Sequence, residues 1–124
     1  MSGNGQTCPR IVQSLDLYPT LVELCGLPAH SENEGASLMP LLKKPSTVWD
    51  QPAYSIWSED GKTVHGVAVR TEQWRYAEYG KEGAGGAMLL DPRDPDELKN
   101  LAGDHPDVCA GLSALARKYA AQFG

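Results

Sequence analysis

The most informative run of apolar and polar positions in this chain is Val64–Tyr79, VHGVAVRTEQWRYAEY. Strand-favouring residues alternate with period two on both sides of a polar break, Arg70-Thr71-Glu72-Gln73, which predicts a tight β-hairpin. On its second strand Trp74 and Tyr76 share one face while Arg75, Ala77 and Tyr79 take the other, because successive strand side chains alternate. One face is therefore strongly apolar and needs a cover, and a lone hairpin is marginal in water. A preceding strand is expected in AYSIW after Pro52, joined to the hairpin by Ser58–Lys62 with Asp60-Gly61 at the turn. A fourth follows at Met88-Leu89-Leu90, stopped by Asp91-Pro92. Loops this short cannot make parallel crossovers, so the sheet is expected to be antiparallel.

Helical periodicity appears at both ends. Tyr18 to Cys25 reads as a short helix with Pro19 in its first turn and Gly26 at the left-handed cap; Leu17, Leu21, Leu24 and Cys25 form its expected core face. Ser37 caps a further short piece, SLMPLLKK, closed by Lys43 and Lys44 near its negative end and by Pro45. A last helix starts at Pro106, with Val108, Leu112, Leu115, Tyr119 and Phe123 as the stripe that covers the hairpin. Gly111 weakens that helix by about 1 kcal/mol relative to Ala. Gly80 to Gly86 is expected to be a flexible connection. The fold class is α+β: a four-stranded antiparallel sheet packed against a C-terminal helix, with short N-terminal helices. Residues 1–10, polar and Gly-rich, read as a disordered or extended tail, and residues 11–124 as one subdomain.

Composition narrows the partners. The 124 residues fit one modest core, and 11 Lys and Arg against 16 Asp and Glu leave a net charge of -5, without the concentrated basic surface a nucleic-acid binder needs. Cys8, Cys25 and Cys109 are odd in number and widely spaced, which signals neither a disulfide framework nor a zinc site. No apolar run approaches the roughly 20 residues of a membrane span, and the first residues lack the apolar core of a secretory signal, so a soluble chain with no targeting segment is expected.

Chemistry is sparse. There is no HExxH, no GxSxG and no phosphate-binding Gly loop followed by Lys. His65 at the start of the hairpin and Trp57 at the end of the preceding strand, with Ser58 beside it, are placed to line a rim together; for His65 alone a hydrogen-bonded strand-end role is the plainer reading. Asp16 at a helix entrance is expected to satisfy backbone amides. Asp91, Asp94 and Asp96 are turn residues beside Pro92 and Pro95. Arg70 and Arg75 are expected to pair on the surface with Glu72 or Glu78.

Three segments in order, SLDLYPTLVELCGLP with GASLMPLL, AVRTEQWRYAEY, and LLDPRDPDELKNLAGD, resemble the C-terminal end of the sulfatase family, in particular its iduronate-2-sulfatase-like and choline-sulfatase-like branch. The resemblance covers about residues 11 to 110. It implies an alkaline-phosphatase-like enzyme of two subdomains. The larger, N-terminal one carries a formylglycine within a Cys/Ser-x-Pro-x-Arg motif, a calcium ion, and Lys and His residues that grip the sulfate. In such an enzyme a metal-held aldehyde hydrate attacks sulfur and the cation offsets charge on the sulfate oxygens. Cys8-Pro9-Arg10 and Cys25-Gly26-Leu27-Pro28 do not match the modification motif. What the resemblance implies is thus the smaller C-terminal subdomain, inactive by itself toward sulfate esters. Its partner would be the N-terminal catalytic subdomain, with Trp57, Ser58 and His65 at the substrate rim. The alternative is a self-association or binding module derived from a sulfatase tail, with a homodimer formed through the exposed docking face. A stand-alone enzyme with His65 as base lacks a nucleophile or metal partner.

Overall fold

The computed structural model describes residues 1–123, which divide into two units, Met1–Gln51 and Pro52–Gly124. In the first, a single 3-10 turn at Ser14–Asp16 runs into helix α1, Leu17–Leu24, and a second helix, α2, spans Met39–Lys43. Asp16 is the hub. Its buried carboxylate accepts the amide of Gln13 at 2.8 Å and that of Ala36 at 2.9 Å, while the Thr20 hydroxyl donates to its carbonyl and accepts from the amide of Leu38 at 2.8 Å. Gly35 makes this closure possible: a Cβ there would stand 2.0 Å from the carbonyl oxygen of Leu15, so no side chain fits. Ser37, expected as the cap of α2, lies one residue too early: the N-cap is Leu38, whose apolar side chain cannot cap, and the Ser37 hydroxyl accepts only the amide of Met39 at 3.3 Å.

The expected core face of α1 does not exist as such. Leu17, Leu21, Leu24 and Cys25 are all exposed, and the residue α1 buries is Thr20. The periodicity marks one apolar side of the helix, and that side is left exposed.

In the second unit β1 (Ala53–Trp57), β2 (Gly66–Arg70), β3 (Arg75–Tyr79) and β4 (Gly86–Leu90) form an antiparallel sheet in sequence order. Its central register aligns Tyr54, Val69, Tyr76 and Leu89 across all four strands. Helix α3, Pro106–Ala120, covers the face carrying that row, and the core consists of Val67, Val69, Tyr76, Leu89, Leu112 and Ala116. Trp74 lies just before β3 and packs on this core, as the alternation predicts. The helix is turned slightly from the expected stripe: Leu112 and Ala116 are buried, Leu115 is exposed, and Phe123 lies beyond the helix end. Ala116 is fully buried in the centre of the core. Tyr119 stacks on Tyr54 with ring centroids 4.3 Å apart and planes 12° from parallel, which fastens the end of α3 to edge strand β1.

Gly80–Gly86 is not a slack tether. Lys81–Gly83 form one 3-10 turn, the amide of Gly80 donates to His65 at 2.8 Å, and that of Gly85 donates to Tyr79 at 2.8 Å. Gly80, Gly83 and Gly86 have φ of 74, 77 and 110°, so the glycines supply a defined left-handed path between β3 and β4.

Candidate functional site

The sheet's topology brings two of the sequence-designated rim residues together. Trp57 ends β1 opposite Gly66, and the amide of His65 donates to the Trp57 carbonyl at 2.9 Å. The His65 carbonyl in turn accepts the Gly80 amide, so this backbone is held on both sides. The two rings lie 5.4 Å apart at 54°, and the Trp57 side chain remains half exposed. The Nδ1 of His65 accepts the amide of Glu59 at 3.4 Å. This is the hydrogen-bonded strand-end histidine expected from the sequence.

Ser58 is engaged in the turn. Its hydroxyl donates to Asp60 at 3.1 Å, and Asp60 also accepts the amides of Lys62 and Thr63 at 2.9 and 2.6 Å and the Thr63 hydroxyl at 2.7 Å. The bonds from Thr63 and Lys62 hold the Asp60 carboxyl well below the usual range, so Asp60 is an ionised turn organiser. A rigid loop thus presents an exposed indole beside an imidazole. The pair can offer an apolar plate and ring N–H donors, while the neighbouring Ser58 hydroxyl is committed to Asp60.

Asp91 and Asp94 organise the turns after β4. Asp91 is drawn down to about 2 by the side chain and then the amide of Arg93, and Asp94 accepts the amides of Asp96 and Leu98 at 3.3 and 3.2 Å. Among the described residues no three His, Cys, Asp or Glu side chains converge as metal ligands. The Cys8 thiol donates to the Pro45 carbonyl. Among the described residues the donor set needed for calcium is therefore not assembled.

Sequence reasoning missed Glu78. Expected as a surface partner for an arginine, it is 3% exposed and lies under α3. It accepts from the Tyr76 phenol at 2.8 Å, the Ser113 hydroxyl at 2.6 Å and the Arg117 guanidinium at 3.2 Å, while Arg75 pairs instead with Glu97 at 2.6 Å. Burial pushes the Glu78 carboxyl up, but the bonds from Ser113, Tyr76 and Arg117 outweigh it and leave the group below its ordinary value. Burial, then donation to Glu78, pushes the Tyr76 phenol up to about 12. The signal was present: position 78 has the same strand parity as Trp74 and Tyr76, which placed a carboxylate on the apolar face.

Over residues 2–119 the sequence matches the family described as N-sulphoglucosamine sulphohydrolase, C-terminal. It is 31% identical over 111 residues to arylsulfatase K of Danio rerio, covering 86% of this chain and 21% of that protein. A putative sulfatase from Bacteroides thetaiotaomicron VPI-5482 superposes with a TM-score of 0.68 at 32% identity, over 86% of this chain and 24% of the other. A 2-O GAG sulfatase superposes with a TM-score of 0.67 at 32% identity and the same coverage. The chain spans about a fifth of the curated relative and a quarter of each structure. The strand order, the covering helix and a match over nearly the whole length converge: this chain belongs to the sulfatase family, as its C-terminal subdomain.

Proposed function

We propose that the chain completes the fold of a sulfatase and supplies part of its substrate-pocket wall, while the N-terminal catalytic subdomain provides the calcium, the formylglycine and the sulfate-gripping residues. The observation that carries this reading is the open stripe on α1. Leu17, Leu21 and Leu24 are 56, 58 and 43% exposed although their spacing is that of a buried helix face. A contiguous apolar stripe of this kind marks a surface that a partner covers. Trp57 and His65, held rigidly by the β1–β2 turn, are the residues offered to the substrate rim. By itself the chain does not hydrolyse sulfuric esters.

The test is an aryl-sulfate assay with calcium on the 124-residue chain and on the polypeptide read in frame from upstream of Met1. A longer product that carries a Cys/Ser-x-Pro-x-Arg motif is expected to turn over, whereas the short chain is expected not to. Activity that copurifies with the short chain overturns the reading. In the longer product, Leu17→Ser with Leu21→Ser weakens docking and lowers activity. The same stripe favours a second reading, self-association of the isolated chain. Light scattering decides it: a monomer at high concentration removes the homodimer.

A further inference from the structure

All of the cationic side chains of the first unit, Arg10, Lys43 and Lys44, line a single cleft of about 520 Å³. None of that unit's acids, Asp16, Glu23, Glu32, Glu34 and Asp50, lines it. The remaining wall includes the neutral hydrogen-bonding side chains of Ser2, Gln6 and Ser46. In a chain of net charge -5, such segregation creates a local positive field in a concave, donor-rich surface.

The cleft is built rather than incidental. Arg10 donates from Nε to the Thr47 carbonyl at 2.9 Å and from Nη2 to Ser46 at 3.2 Å, and the Ser2 hydroxyl donates to the Lys43 carbonyl. These bonds bring residues near position 2, near position 10 and after α2 to one place. The Lys43 and Lys44 ammoniums are exposed, and neither has an ion-pair partner among the described residues. Compensation of the negative end of α2 accounts for a lysine at its C-terminus. It does not account for the arrival of Arg10 and Gln6 from a separate segment, nor for the exclusion of every carboxylate.

We propose that this cleft binds a tetrahedral oxyanion, a sulfate or phosphate ester group, with Lys43 and Lys44 as the charge contacts and Arg10 as the positioned guanidinium that shapes the floor. The site shares no residue with the Trp57–His65 rim and stands on charge segregation and shape, independently of the sulfatase activity.

The test is an amide-resolved NMR titration of the full chain at constant ionic strength. The probes are sodium sulfate, sodium phosphate, a sulfated disaccharide and a sugar phosphate, with sodium chloride as the reference. Saturable shifts at Gln6, Ser46 and Thr47 are expected. In the Lys43→Gln/Lys44→Gln double variant affinity falls about tenfold, equivalent to about 1.4 kcal/mol for two exposed charge contacts. A Lys62→Gln/Lys118→Gln variant, with the same net charge, binds as the parent does. Tighter binding of the sulfated disaccharide identifies a saccharide sulfate as the source, and tighter binding of the sugar phosphate identifies a phosphate ester. Shifts that chloride reproduces, that fail to saturate, or that respond equally to both double variants overturn the proposal. Because both pairs are exposed, retained spectral dispersion confirms folding of each variant.

Discussion

Replacing Glu78 with Ala tests how α3 is held to the sheet. The substitution leaves the buried Tyr76 phenol and the Ser113 hydroxyl without their common acceptor, while Arg117, whose side chain is 52% exposed, turns back to water. Two orphaned hydroxyls cost about 1–1.5 kcal/mol each and the vacated methylenes about 1 kcal/mol. The exposed arginine adds little after solvent screening. The sum is about 3–4 kcal/mol, or roughly 15–25 °C in Tm for a unit of this size. Glu78→Gln keeps the shape and an acceptor but loses charge assistance, so about 1–2 kcal/mol is expected. Urea and thermal unfolding followed by near-UV circular dichroism measure both. The pH dependence adds an independent check. The folded-state pKa of Glu78 lies below its ordinary value, so its contribution is full above the unfolded glutamate range and is lost as pH falls through the lowered folded value. Glu78→Gln therefore narrows its deficit as the solution is acidified. An alanine variant within about 0.5 kcal/mol of the parent, the scale of an ordinary surface change, refutes the network as the clamp.

Three further substitutions probe other parts of the fold. Gly111→Ala, on an exposed turn of α3 with open space where its Cβ would stand, raises stability by about 0.5–1 kcal/mol in the same unfolding assay. Gly35→Ala forces a methyl against the Leu15 carbonyl and costs the first unit about 3 kcal/mol, read from the fluorescence of Trp49, whose indole donates to Ile11 in that unit. Asn100→Ala removes an acceptor shared by the amides of Leu89 and Ala102 and a donor to Ala87; it costs about 1–3 kcal/mol and raises amide exchange at Leu89.

The strands and α3 were legible because their period-two and helical patterns are answered within the same 73 residues of the second unit: the apolar face of the hairpin and the stripe of α3 cover each other. The nearness of Trp57 and His65 followed from the antiparallel return of β2 along β1, which brings the end of one strand beside the start of the next. Pattern alone also fixed α1 as amphipathic and Asp16 as an amide acceptor. Only the tertiary structure decided which apolar faces are covered, since burial depends on what else the chain can bring to a surface, and among the described residues Leu17 and Leu21 stay exposed. It also decided that Glu78 is an internal acceptor, through Ser113 and Arg117 lying 35 and 39 residues further along the chain. The gathering of Arg10 with Lys43 and Lys44 is of the same kind. Local sequence sets the direction a side chain takes from its own backbone; the company it meets there is set by distant segments, and no periodicity within one element carries that information.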